Sequence, residues 1–406
     1  MEAAIVDSPE NMKSLPRTVW ALGLVSLFMD LSSELVHALL PVFMTVVLGA
    51  SMVAVGVVEG IAEATASIVK VFSGALSDKL AHRKPLVALG YGLAALSKPL
   101  FPLAGSVALV LGARFMDRIG KGIRGAPRDA LIADVTPEGQ RGAAYGLRQA
   151  LDTVGAVLGP LAAILLMLAL ASEVRTVLWF AVIPAVVSVL VLLLVVEEPG
   201  RSARQTTAQP VSRALREFGR HFWLVVALGA VMTLARFSEA FLVLRAQDLG
   251  IALAMVPSVL VVMNVVYTAI AYPAGIAADH GQRKALLVWG FAALIAADIV
   301  LGTTRDWFWF FGGIVLWGVH MGLTQGLLST LVADAAPGRL RGTAFGVFHL
   351  VSGGALLAAS VLAGWLWGAF GARWTFYAGA AFTALALAGL VLSSRPGSGG
   401  RARQPS

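Results

Sequence analysis

Residues 131–146 read LIADVTPEGQRGAAYG, and residues 331–346 read LVADAAPGRLRGTAFG. Asp134, Pro137, Arg141, Gly142 and Gly146 of the first stretch meet Asp334, Pro337, Arg341, Gly342 and Gly346 of the second, each 200 positions later. A second pair, GALSDKLAHRKPL from Gly74 and GIAADHGQRKALL from Gly275, recurs at nearly the same offset. Two matches in one register mean that the chain is built from two copies of one unit.

Apolar runs surround both pairs. The 406 residues are 58% hydrophobic and only 13% charged, with a mean hydropathy of +0.81. That is too apolar for a water-soluble enzyme. Each run reaches the roughly 20 residues that a helix needs to cross a bilayer. Continuous apolarity, rather than alternation, makes these segments helices and not barrel strands. The expected fold is therefore an all-α integral membrane protein with twelve transmembrane helices in two pseudo-symmetric six-helix bundles. The first six spans are placed near 17–46, 51–76, 85–104, 106–134, 140–171 and 174–196. The second six fall near 221–246, 252–277, 285–303, 308–335, 340–370 and 373–393. The polar stretch from Val196 to His221 separates them. The domains expected are an N-terminal segment 1–16, a bundle 17–196, a linker 197–220, a bundle 221–393 and a tail 394–406.

The formal net charge is +8. With twelve spans, eighteen Lys and Arg fall in segments on the side of the termini, against Arg175, Arg245, Arg305 and Arg373 in the opposite loops. The positive-inside rule then puts both termini in the cytoplasm of a cell (inner) membrane. The basic charge is a topology signal, and no nucleic-acid partner is expected. The opening MEAAIVDSPENMKSLPR has no apolar h-region, so the first span is expected to act as the insertion signal. Cysteine is absent, which removes disulfides and thiol nucleophiles. No nucleotide-binding, hydrolase or metal-ligand spacing stands out, so neither an enzyme, a cofactor nor a bound metal is expected.

The doubled loop pattern, Gly74, Asp78, Arg83 and Lys84 with a weaker copy at Gly275, Asp279, Arg283 and Lys284, resembles the hallmark of the major facilitator superfamily. In that family the motif is a gating latch between spans. GLRQALDTVGAVLGP in the fifth span, with Gly146, Gly155, Gly159 and Pro160, resembles the motif of its drug:proton antiporters, although Ala163 and Ile164 replace the final glycine pair. The resemblance implies a secondary transporter in the lipid bilayer, working as a monomer and coupled to protons.

Nine cations fall within or at the ends of spans, eight of them in the first half. A charge at the bilayer centre costs on the order of 3 kcal/mol, so this density demands partners or water. On a helical wheel Arg114, Asp117, Arg118, Lys121, Arg124, Arg128 and Asp129 of the fourth span share an arc of roughly 140°. Their counterparts in the second half are Ile314, Trp317, Gly318, Met321, Thr324, Leu328 and Ser329, all uncharged. The fold therefore does not itself require the charges. Pro127 is expected to bend or break the span. Acids that could meet these cations are Asp30 and Glu34, with His37, on the first span, Glu59 and Glu63 on the second, and Asp152 beside Arg148 on the fifth. From the second half Arg236 and Glu239, expected one turn apart, join Asn264, Tyr267, His320 and Gln325 as candidate ligands or coupling groups. Arg124, Arg128 and Asp129 are candidates for gating.

Five cations against two acids on the fourth span favour a small anionic or zwitterionic solute. The competing expectation is proton-driven efflux of lipophilic or cationic compounds, which the antiporter-like fifth span supports. A structural ion-pair network is the third reading of the same charges.

Overall fold

The computed structural model describes residues 15–80, 82–198, 215, 217–337 and 340–393. Every element among them is helical. The first half contains α1 (Arg17–Val47), α2 (Met52–Lys79), α3 (Lys84–Leu103), α4 (Val107–Val135), α5 (Arg141–Ala169) and α6 (Val174–Val195). The second half contains α7 (Arg220–Asp248), α8 (Leu253–Ala277), α9 (Arg283–Thr303), α10 (Trp307–Ala335), α11 (Arg341–Phe370) and α12 (Ala372–Ser393). These ends lie within three residues of those expected. Eleven of the helices are long and apolar enough to cross a membrane. The twelfth, α4, is as long as its neighbours at 29 residues but carries the charges already noted.

Starts follow local chemistry. Ser106 accepts the Leu109 amide at 3.4 Å to begin α4, and Asp306, its repeat counterpart, accepts the Phe308 amide at 2.6 Å to begin α10. Two expectations about helix continuity are corrected. Pro127 does not break α4, which runs unbroken from Val107 to Val135. Proline cannot donate to the carbonyl four residues back, but the Ser73 hydroxyl of α2 donates to that Ile123 carbonyl instead. The backbone group freed by the proline is thereby satisfied from outside. In contrast, α7 does break, between Ala235 and Ala240, with Arg236 extended at φ −115°, ψ 93°. Arg236 and Glu239 are therefore not one helical turn apart. Ser238 Oγ accepts the Ala240 amide at 3.3 Å and restarts the helix, a Ser-led N-terminus within an apolar run.

A single apolar core joins the halves at the end away from the termini. It gathers Leu39 and Phe43 of α1, Met167 of α5, Phe241 of α7, Leu260 of α8 and Trp367 of α11. At the termini end the core divides. Val25, Tyr91 and Leu131 form one cluster in the first half, while Phe222 with Phe348 and Phe291 with Leu327 form two in the second. One joint persists toward both ends, where α2 lies against α11, backbone against backbone at Gly60 and Gly364 and with the Val71 side chain against Gly346. A Cβ on Gly60 would sit 2.9 Å from the Leu357 Cα, and one on Gly364 2.9 Å from the Val53 Cα. Only glycine admits that approach.

Candidate functional site

The charges of α4 are paired by the helices around it. At mid-depth the Arg114 guanidinium, 1% exposed, donates through Nη2 to Glu59 Oε2 of α2 at 3.0 Å and to His37 Nδ1 of α1 at 2.8 Å. A guanidinium only donates. Nδ1 is therefore the acceptor, and the ring proton of neutral His37 sits on Nε2, 3.9 Å from Glu239 Oε2 of α7. Asp117, one turn below, accepts from Lys98 Nζ at 2.7 Å, and Lys98 also donates to Ser33 Oγ at 2.9 Å. Arg118 reaches Glu63 at 3.3 Å and Asp117 at 3.7 Å. Glu63 is the partly open member, about one-third exposed.

Nearer the termini a second cluster forms. Arg128 donates to Ser26 Oγ at 2.8 Å and Tyr91 Oη at 3.4 Å, and lies 3.2 Å from Asp129. Arg124 sits over the Tyr91 ring, 4.8 Å from its centroid. Arg148 binds Asp152 and approaches Asp129 at 3.6 Å. Arg124, Arg128 and Asp129 thus meet α1, α3 and α5 of their own half. Lys121 differs from its neighbours: it is exposed, with no acid within 4 Å among the described residues.

The glycines of α5 have a direct relation to the acids of α1. A Cβ on Gly155 would lie 3.1 Å from the Asp30 Cβ, and one on Gly159 2.8 Å from the Glu34 Cβ. Asp30 and Glu34 are half-buried and form no ion pair within 4 Å among the described residues. Pro160 is buried beside them.

From the second half, Glu239 faces His37, and Asn264 Nδ2 donates to the Ala156 carbonyl of α5 at 3.1 Å, so both bridge the halves. Arg236 is half-buried at the break in α7, without an acid within 4 Å among the described residues. Tyr267 packs on the joint core, and Gln325 is half-buried in α10. His320 lies apart from this group. Its Nδ1 faces the Gly290 carbonyl of α9 at 2.9 Å, and it is 3% exposed.

The loop motifs sit at the termini end. Arg83 Nε is 3.0 Å from Asp134 Oδ2 at the end of α4. Lys84 Nζ donates to the Leu193 and Val196 carbonyls at 3.1 and 2.6 Å, satisfying the C-terminus of α6. Gly74 faces Ala126 of α4. In the second copy Gly281, at φ +82°, turns the chain between α8 and α9; Gly275 lies just before the turn, and Arg283 and Lys284 begin α9. The side chains of Asp78 and Asp279 lie outside those described.

Several members of the site carried no sequence signal of their own. Ser26 and Tyr91 read as ordinary helix residues; Lys98 counts among the nine cations within or at the ends of spans, with no partner assigned to it. Asp298 of α9 is wholly buried against Gly379 of α12, and neither carboxyl oxygen has a hydrogen-bond partner among the described residues.

The family model described as Major Facilitator Superfamily matches residues 22–245 and again 229–406. An uncharacterized MFS-type transporter of Methanocaldococcus jannaschii is 32% identical over 371 residues, covering 88% of this chain and 90% of its own. The inner membrane transport protein YajR of Escherichia coli is 25% identical over 382 residues, covering 91% and 81%. Among solved structures the nucleoside transporter NupG aligns with a TM-score of 0.77 at 12% identity, covering 93% of this chain and all of that one. At that identity the likeness concerns the fold.

Proposed function

The chain belongs to the major facilitator superfamily, and from that premise we propose that it moves a small anionic or zwitterionic solute by alternating access, coupled to protons. It is a membrane transporter and not an enzyme. The observation that carries the coupling is His37, held by Arg114 of its own half while its Nε2 faces Glu239 of the other. A proton on the His37–Glu239 contact ties the halves at mid-depth. Its loss changes the charge at that joint and with it the balance between the two arrangements of the halves. Proton binding and the movement of the halves are then one equilibrium.

Solute recognition falls to the cations left without an acid. Lys121 of the first half and Arg236 of the second are the pair suited to an anionic group, while Glu34 suits the ammonium of a zwitterion. The buried arginines of α4 are committed to Glu59, Glu63 and Asp117 and act as scaffold and coupling groups. The efflux reading draws on a different observation: Asp30 and Glu34 are half-buried without a cation partner and could attract a cationic compound. In this proposal both termini are cytoplasmic in the cell membrane, and the transporter works as a monomer.

Proteoliposomes with an imposed pH gradient test the reading. Anionic or zwitterionic probes should move with protons, and Lys121→Ala or Arg236→Ala should raise the half-saturating concentration. Glu239→Gln should abolish proton-driven flux while solute exchange at equal pH survives. Cationic flux that persists without Lys121 and Arg236, and no anionic flux, would establish the efflux reading in its place.

A further inference from the structure

At the end away from the termini the second half holds a cavity of about 710 Å³. It opens between the end of α7, the α9–α10 turn and the α11–α12 turn. Three arginines line it: Arg245, Arg305 and Arg373. The loops and helix ends on this side hold four Lys or Arg, these three and Arg175, so three of the four meet in one place.

Their commitments differ. Arg245 is buried; its Nε donates to the Leu301 carbonyl at 3.1 Å, its Nη2 to the Thr304 carbonyl at 2.7 Å, and its Nη1 binds Asp248. It builds the wall. Arg305 and Arg373 are exposed, with no acid within 4 Å among the described residues. The nearby Asp306 carboxylate already caps α10. At the same wall begins α12, a helix of 22 residues whose first amides, at Ala372 and Arg373, make no backbone hydrogen bond. Two free guanidinium groups beside an open helix N-terminus form a site for an anion with several oxygens.

The rim indicates where that anion comes from. Phe370 and Trp374 are 56% and 50% exposed, and stack edge-on with centroids 6.3 Å apart; Tyr377 continues the row at 6.0 Å. Trp307, Phe308 and Trp309 of the adjoining turn are exposed as well. Exposed aromatic rings at span ends mark the depth of lipid headgroups. The first half supplies an internal comparison. At the 200-residue offset the three arginines correspond to Thr45, Gly105 and Glu173. The first half keeps one cation at these turns, Arg175, and it is committed to the Pro102 carbonyl at 2.9 Å and the Phe43 ring, so turn geometry does not explain two further arginines without an acid.

We propose that this cavity binds the headgroup phosphate of an anionic phospholipid in the leaflet away from the termini, with the acyl chains along the Phe370–Trp374 face. Arg305 and Arg373 hold the phosphate, and Arg245 fixes the wall they project from.

The test is lipid retention by purified full-length protein in nanodiscs and then by native mass spectrometry. Wild-type protein should retain phosphatidylglycerol in preference to phosphatidylcholine. The double variant Arg305→Gln, Arg373→Gln changes exposed positions only and should lose that preference by about tenfold. Equal retention of the two lipids by wild type would overturn the proposal without reference to any variant. So would a double variant that keeps the preference. Displacement of phosphatidylglycerol by inorganic phosphate at equal concentration would show a soluble-anion site and overturn the lipid assignment.

Discussion

Arg114 makes the residue scale concrete, because its guanidinium serves Glu59 and His37 at once and has almost no exposure. Arg114→Ala leaves Glu59 buried without its cation, a loss of about 3–5 kcal/mol. We expect a lower unfolding temperature in detergent, partly restored by Glu59→Gln in the same chain. A smaller effect belongs to Ser73. Ser73→Ala orphans the Ile123 carbonyl at a cost of about 1–3 kcal/mol, but should cost little in a Pro127→Ala background, where residue 127 regains its amide donor. The double-mutant cycle in thermal unfolding checks this. The charges themselves were legible in the sequence because they are anomalous in an apolar chain. His37, Glu59 and Glu63 were legible as groups that could meet them, but which cation each meets was not, since they reach α4 from other helices and spacing along one helix does not set that register.

Helix ends were legible to within three residues, because apolar run length and the Ser or Asp caps act locally. Continuity was not. Pro127 sits in an intact helix and Arg236 in a broken one, the reverse of what their residue types suggest. In each case the deciding group lies outside the helix or in its restart: the Ser73 hydroxyl on α2 in the first, the Ser238 cap in the second. The α1–α5 joint offers the prediction at this scale. A methyl group on Gly159 would sit 2.8 Å from the Leu31 carbonyl oxygen. Gly159→Ala should therefore push α5 from α1 and lower stability by about 1–3 kcal/mol. Gly146→Ala, whose Cβ would meet open space, should leave the unfolding temperature nearly unchanged.

The two-fold repeat, and with it the whole architecture, could be read from two short matches at one offset. The state of the molecule could not, because it depends on which faces of the two halves meet. One shared core closes the far end, separate cores lie at the other, and Gln149 of α5 is exposed toward that divided end. The chain lacks cysteine, so single-cysteine variants need no altered background. Gln149→Cys should react with a membrane-impermeant thiol reagent in inside-out vesicles and stay protected in right-side-out ones, if the termini are cytoplasmic. The opposite pattern would reverse the orientation.

Nearly every group that neutralises α4 is synthesised before it. Ser26, His37, Glu59, Glu63, Ser73, Arg83, Tyr91 and Lys98 all precede Val107, and among the described residues Tyr145 and the Arg148–Asp152 pair follow. At about 3 kcal/mol for each central Arg or Asp, α4 could not enter lipid as a solitary helix. Vectorial biogenesis is the expected outcome, in which the fourth helix meets a groove that its predecessors have already charged. Chains truncated after residue 140 should integrate α4 when α1–α3 are native, and fail to do so when Glu59 and Glu63 are both replaced by Leu.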